Sequence, residues 1–151
     1  MNTKLLTSLF TSNAGLSALV LRVPVGIVLA AHGAQKLFAW FGGYGLECTG
    51  QYMESIGLAP GFLMALLAGS AEFFGGLALV LGLLTRPAAL VSAFTMLMAI
   101  FTAHISNGLF LSNGGYEYAL ALFAATLSLV FSGAGRLAVD NLIANKFASA
   151  Q

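Results

Sequence analysis

Five ionisable side chains stand out in a chain that holds few: His32, Lys36, Glu72, His104 and Glu117. Each lies within or beside a long apolar stretch. In such surroundings a histidine and a carboxylate can hold and pass a proton, and a lysine can balance the carboxylate or donate to a carbonyl oxygen. That chemistry suits a proton-coupled redox site or a hydrogen-bonded pocket for a quinone. It also suits a polar packing contact that performs no reaction. Ionisable groups are costly in hydrocarbon unless paired or wetted, which favours the functional reading for them. His32, Glu72 and Lys36 are therefore the candidate catalytic residues. The candidate substrate or quinone pocket is His32, Lys36, Glu72, His104 and Glu117. Glu117 has a second reading as an acid at a helix N-terminus, where the dipole favours it.

The elements that must position these groups are membrane helices. Hydrophobic residues make up 59% of the 151 residues and charged residues 7%, against about 45–50% and about 25% in ordinary soluble domains. Mean hydropathy is +0.93. A soluble domain of this size could not cover its surface with so few charges. The net charge of +1 comes from scattered Lys and Arg, with no patch for nucleic acid. The single cysteine, Cys48, excludes an intramolecular disulfide and a multi-thiolate metal site. It reads as an inert small residue or as a reactive thiol in an exposed loop. The stretch from Met1 to Ala18 lacks the apolar core of a signal peptide, so no cleaved leader is expected.

Four spans are expected, at about 23–41, 61–83, 88–105 and 116–131. The residues before them form an amphipathic lead-in carrying Leu5, Leu6, Leu9 and Phe10, and about 136–147 forms an amphipathic tail. Pro24 suggests that the first span starts there, since proline is tolerated in a first helical turn; in a helix that starts earlier it would make a kink. Lys4, Arg22, Arg86, Arg136 and Lys146 fall on one side, which the positive-inside rule makes cytoplasmic, with both termini on it. Arg22, Arg86 and Arg136 then form a cytoplasmic basic rim. Trp40, Tyr44, Tyr52, Tyr116 and Tyr118 gather at the outer interface.

Within the first span, with Arg22 at zero, Lys36 falls at about −40°, His32 at about −80°, Gly26 at about +40° and Gly33 at about +20°. One face thus carries every charge and both glycines. Ala65, Gly69, Glu72 and Gly76 share a stripe on the second span. His104 lies over Ile100, Met96 and Ala93 on the third, and Glu117, Ala121, Ala124 and Ser128 share a stripe on the fourth. Small residues allow close approach, so these stripes should face one another. Counting the helical rise puts His32 and Glu72 at one depth and His104 with Glu117 in a second layer nearer the outer rim, with Lys36 able to reach either. That offset of roughly 10 Å disfavours haem between the two histidines. No metal is expected, because no His/Glu pair has ligand spacing on one helix, and no phosphate-binding glycine loop is present.

In their order and spacing, several motifs resemble the DoxX family of small bacterial inner-membrane proteins. They are His32-Gly33-Ala34-Gln35-Lys36-Leu37 after Arg22, Glu72 followed by Gly75-Gly76, and Leu81-Gly82-Leu83-Leu84-Thr85-Arg86. Glu117 and Gly133-Ala134-Gly135-Arg136 before Asp140 complete the set. The similarity runs over about 15–143, nearly the whole chain. The resemblance implies one all-α domain over residues 1–151, an integral four-helix bundle, multi-pass in the bacterial inner (plasma) membrane. It implies an oxidoreductase component, working with partner proteins in a membrane redox complex. It assigns no catalytic residue, and the paired cysteines of a thiol-exchange role are absent from the sequence.

Two functions stand near parity. One is a component of a membrane redox system with a quinone-binding pocket in the outer half of the bundle. The other is a non-catalytic anchor or assembly subunit. A proton path or small transporter ranks third and would need oligomers. The sequence leaves open whether the chain is an enzyme and whether it forms homo-oligomers. The surrounding bilayer is its one certain partner.

Overall fold

The computed structural model describes residues 9–149, and every regular element among them is helical. Helix α1 (Gly15–Phe38) ends in a 3-10 turn at Trp40–Gly42. A short α2 (Gly45–Ser55) leads to α3 (Gly61–Leu81). Helix α4 (Thr85–Ala99) runs on through one π-helical turn, Ile100–His104, and a 3-10 turn, Ile105–Asn107. After a further 3-10 turn at Leu111–Asn113 come α5 (Glu117–Ser132) and α6 (Val139–Ser149). Lys4, Leu5 and Leu6 of the expected lead-in lie outside the described residues.

Three segments are long and apolar enough to cross a membrane: Gly15–Phe38, Gly61–Leu81 and Thr85–Asn107. Helix α5 is equally apolar in character but has 16 residues, about 24 Å of rise against a hydrocarbon core of about 30 Å. Helix α1 packs on α3, α3 on α4, α4 on α5, and α5 returns to α1, while α2 lies against α3 and α1. The centre of this ring is Ala18, Val25 and Leu29 from α1, Leu79 from α3, Ala89 and Met96 from α4, and Leu122 and Leu129 from α5. Large apolar side chains also cover the outside, among them Val20, Ile27, Phe74, Phe94 and Phe101. That outward coat is what lipid rather than water requires.

The α1–α3 seam is made by glycines seven residues apart on each helix. A Cβ on Gly26 would lie 2.6 Å from the Gly76 carbonyl, and one on Gly76 would lie 2.5 Å from the Ala30 nitrogen. A Cβ on Gly33 would overlap the backbone nitrogen of Phe73. The stripes expected to meet on these two helices do meet, and Ala65, Gly69, Glu72 and Gly76 are all buried.

The first span begins earlier than its proline suggests. Helix α1 starts at Gly15, so Pro24 and Arg22 lie inside it. Arg22 is fully buried, not part of an exposed rim. Its guanidinium donates to the carbonyls of Leu79 (2.8 Å) and Val80 (2.5 Å) in the last turn of α3. It also donates to Ala134 (3.0 Å), Arg136 (3.3 Å) and Leu137 (2.6 Å) beyond α5. Those five acceptors anchor the turn that Pro24 would otherwise weaken.

Neighbouring helix ends are tied in the same way. The buried Asp140 carboxylate accepts from the backbone N–H groups of Leu84 (2.7 Å) and Thr85 (2.9 Å), capping α4 from a distant part of the chain. Arg86 donates to Val130 and Phe131, both at 2.6 Å, at the C-terminus of α5. The charges match the helix dipoles: cations sit on C-termini and an anion on an N-terminus. Leu84 and Leu137 take positive φ here, 47° and 54°, a conformation costing about 1–2 kcal/mol for such residues. The charged hydrogen bonds to their own backbone groups offset that strain. Of the expected basic rim, Arg86 is half-buried and Arg136 alone is exposed.

Candidate functional site

At the end of the bundle opposite this knot, Lys36 and Glu72 form an ion pair across the α1–α3 seam, Nζ to Oε2 at 2.5 Å. Glu72 sits in the middle of α3, and its side chain is only 4% exposed, against 24% for Lys36. Two features of the sequence allow the contact. Gly69 has no side chain, and a Cβ there would lie 3.2 Å from the Lys36 Cβ. A long helical side chain also leans toward the N-terminus of its own helix. Lys36 lies two residues from the end of α1, so it leans away from that end and onto the carboxylate one turn along from Gly69.

His32 is one turn before Lys36 on the same face of α1 and is half-buried. Gln35, Lys36 and Glu72 are its electrostatic neighbours. Its ring meets that of Tyr118 on α5, centroids 5.9 Å apart and planes tilted by 56°. Four side chains from three helices therefore run in sequence from the α5 surface to the buried carboxylate: Tyr118, His32, Lys36, Glu72. The arrangement can offer hydrogen-bond donors from the ammonium and imidazole, an acceptor from the carboxylate, and a route for a proton among them.

The structure rearranges the rest of the expected pocket. His104 and Glu117 do not join the ion pair. His104 Nδ1 lies 2.8 Å from the Gly114 carbonyl; a carbonyl only accepts, so Nδ1 carries the proton. Glu117 accepts from the Leu111 backbone N–H at 2.6 Å from within the first turn of α5. Both side chains pin the loop between α4 and α5, and Glu117 follows its second reading as a helix N-terminal acid. The π-helical turn explains His104: its wider winding turns the ring off the stripe of Ala93, Met96 and Ile100, all three buried as expected. With α1 ending at Phe38, His32 is six residues, about 9 Å, from that end. There it touches Tyr118, the neighbour of Glu117.

Helix α5 faces the core differently from the small-residue stripe read on it. Ala119, Leu122, Thr126 and Leu129 are buried, while Ala121, Ala124 and Ser128 are exposed. Size is the reason: Leu122 and Leu129 fill the bundle centre, and the small residues turn outward. The aromatic belt holds for Trp40, Tyr44 and Tyr52, which are exposed at this end. Trp40 also belongs to a ladder of rings, Phe74–Phe73–Phe38–Trp40–Phe41, with centroids 5.2, 5.2, 5.1 and 6.4 Å apart. Sequence reasoning missed Tyr118 as a partner of His32, Asp140 as a cap, and Ser12. Ser12 donates to the Ser132 carbonyl (2.5 Å) and accepts from the Gly135 N–H (3.0 Å). Only Asp140 carried a signal, as the acid closing the last family motif.

The DoxX family profile matches residues 17–105, more than half of the chain. The chain belongs to the DoxX family. Among DoxX relatives, it is 34% identical over 128 residues to the "Putative oxidoreductase CatD" of Bacillus subtilis, covering 85% of this chain and 87% of that one. It is 34% identical over 135 residues to the "Inner membrane protein YqjF" of Escherichia coli, covering 85% and 93%. A Haemophilus influenzae protein is 37% identical over 125 residues, covering 80% and 86%. No solved structure matches significantly. With three apolar helices long enough to span, this DoxX chain is a multi-pass inner-membrane protein.

Proposed function

We propose that this DoxX protein is a component of a membrane redox system whose Lys36–Glu72–His32 site binds a quinone headgroup. The observation that carries the reading is the buried Lys36–Glu72 pair with His32 beside it. In a chain with 7% charged residues, a carboxylate placed mid-helix at the bundle interior is costly to keep. The name of the Bacillus subtilis relative supports the redox class. A quinone presents two carbonyl acceptors. Lys36 and His32 supply donors at the right end of the bundle, and the Glu72 carboxylate paired with Lys36 is an acceptor for a proton passed among them. Reduction to the quinol takes two electrons and two protons; the electrons come from a partner redox protein, and this site serves the protons.

In this reading α1, α3, α4 and α5 all span, and α2 lies along the outer surface. Both termini are cytoplasmic. Arg136 and Lys146 are exposed at the terminal end, while Glu47 and Glu54 are exposed on α2, a bias that the positive-inside rule orients. The test is quinone binding by the protein in lipid nanodiscs. Bound quinone is expected in wild type, and Glu72→Gln should abolish turnover with the partner while the fold survives. A reconstituted protein that binds neither ubiquinone nor menaquinone refutes the reading.

The aromatic ladder favours a second reading. Trp40 and Phe41 are exposed beside α2 and suit docking of a partner, as in an anchor or assembly subunit. Crosslinking from exposed Cys48 tests it; a protein captured alone and fully active would rule it out.

A further inference from the structure

Tyr118 is the second residue of α5, a position that belongs to an interfacial anchor. Its ring instead rests on His32 while remaining 39% exposed. One side of the phenol therefore meets the imidazole, and another is open at the bundle surface. Two other approaches to Glu72 are closed. The α1–α3 seam is shut by glycines whose backbones touch across it. Toward the knot, Leu29, Leu122 and Leu129 fill the centre with apolar side chains. Helix α1 meets α5 along a much shorter seam than it shares with α3, and His32 and Tyr118 meet across that seam one turn of α1 from Lys36. Alongside it, the small residues Ala121 and Ala124 are exposed on α5.

We propose that Tyr118 is the specificity-determining residue at a lateral portal: a lipid-borne ring with carbonyl acceptors enters between α1 and α5, displaces Tyr118 from His32 and stacks on its phenol, its alkyl tail lying over the exposed Ala121 and Ala124. The proposal rests on the quinone reading above and adds its route and its selecting residue. A ring that stacks on tyrosine gains from the aromatic face as well as from the donors beyond it. Loss of the ring at position 118 should therefore matter more than loss of its hydroxyl.

The experiment uses the full chain in nanodiscs with decylubiquinone as ligand and a photoreactive azidoquinone as label. Thermal unfolding is recorded for each variant. Tyr118→Leu should weaken binding about tenfold and Tyr118→Phe less than about threefold. Tyr44→Leu, an exposed interfacial tyrosine elsewhere, should leave binding unchanged. The label should map to peptides containing His32 and Tyr118. Wild-type binding that Tyr118→Leu does not alter, or a label on the α3–α4 face, overturns the portal alone and leaves Tyr118 as an interfacial anchor. Absence of binding in wild type overturns the quinone reading and the portal with it. If Tyr118→Leu does not fold, the wild-type label and Tyr118→Phe decide: labelling away from α1 and α5 refutes the proposal.

Discussion

Removing either partner of the Lys36–Glu72 pair should not cost the same. Lys36→Met strands a carboxylate whose side chain is 4% exposed, and an uncompensated buried charge costs about 3–5 kcal/mol. Glu72→Leu strands an ammonium that is already 24% exposed and two residues from the end of α1. That lysine can straighten toward the interface and favours the helix C-terminus, so its loss of partner costs about 1–2 kcal/mol. Removing both takes away the charges together, and Lys36→Met/Glu72→Leu should fall within about 1 kcal/mol of wild type or above it. The assay is thermal unfolding by circular dichroism in detergent at neutral pH. At about 2–4 °C per kcal/mol for a chain of this size, Lys36→Met should lose on the order of 10 °C and Glu72→Leu a few degrees. The double variant should lose less than either. Additive losses in the double variant, or a larger loss for Glu72→Leu than for Lys36→Met, would refute the reasoning.

Gly33→Leu places side-chain carbons where the Phe73 backbone lies; it should cost at least about 3 kcal/mol by overpacking, read as lost thermal stability and greater α1–α3 distance by spin labels. Asp140→Ala removes two N–H acceptors at the start of α4 and should cost about 2 kcal/mol in the same unfolding assay. Arg22→Lys should be nearly as damaging as Arg22→Met, because an ammonium has three donors where the guanidinium serves five carbonyls. His104→Ala or Glu117→Gln should speed hydrogen exchange in the loop between α4 and α5 and shift overall unfolding by less than about 1 kcal/mol. Cys48, the single and exposed cysteine, should react with an impermeant maleimide from outside spheroplasts; labelling only after lysis would invert the proposed topology.

Local sequence pattern made the bundle legible. Glycines at 26, 33, 69 and 76 mark a seam because only helices in backbone contact need them, and that seam forms where the stripes placed it. Glu72 and Lys36 were legible because charge in an apolar run demands a partner. Arg22 was misread because its partners are non-local: three of its acceptors lie more than a hundred residues away, and a backbone carbonyl leaves no mark in a sequence. His104 was misplaced because a single π-helical turn breaks the regular periodicity that stripe counting assumes. On α5 the small residues were read as the packing face, but Leu122 and Leu129 win the centre because the volume there needs filling.

The Arg22 knot also bears on how the chain is made. Helix α1 precedes the others and carries a guanidinium, a group that is costly near hydrocarbon until it is hydrogen-bonded. Its first two acceptors arrive with α3, but Ala134, the nearest of the remaining three, is synthesised 112 residues after the arginine. Until then the charge lies in or near hydrocarbon with its hydrogen bonding incomplete. A chain that stops short of Ala134 never completes it. The knot thus ties the first helix to the segment after α5: Arg22 is fully hydrogen-bonded only once α3 and that segment are both in place.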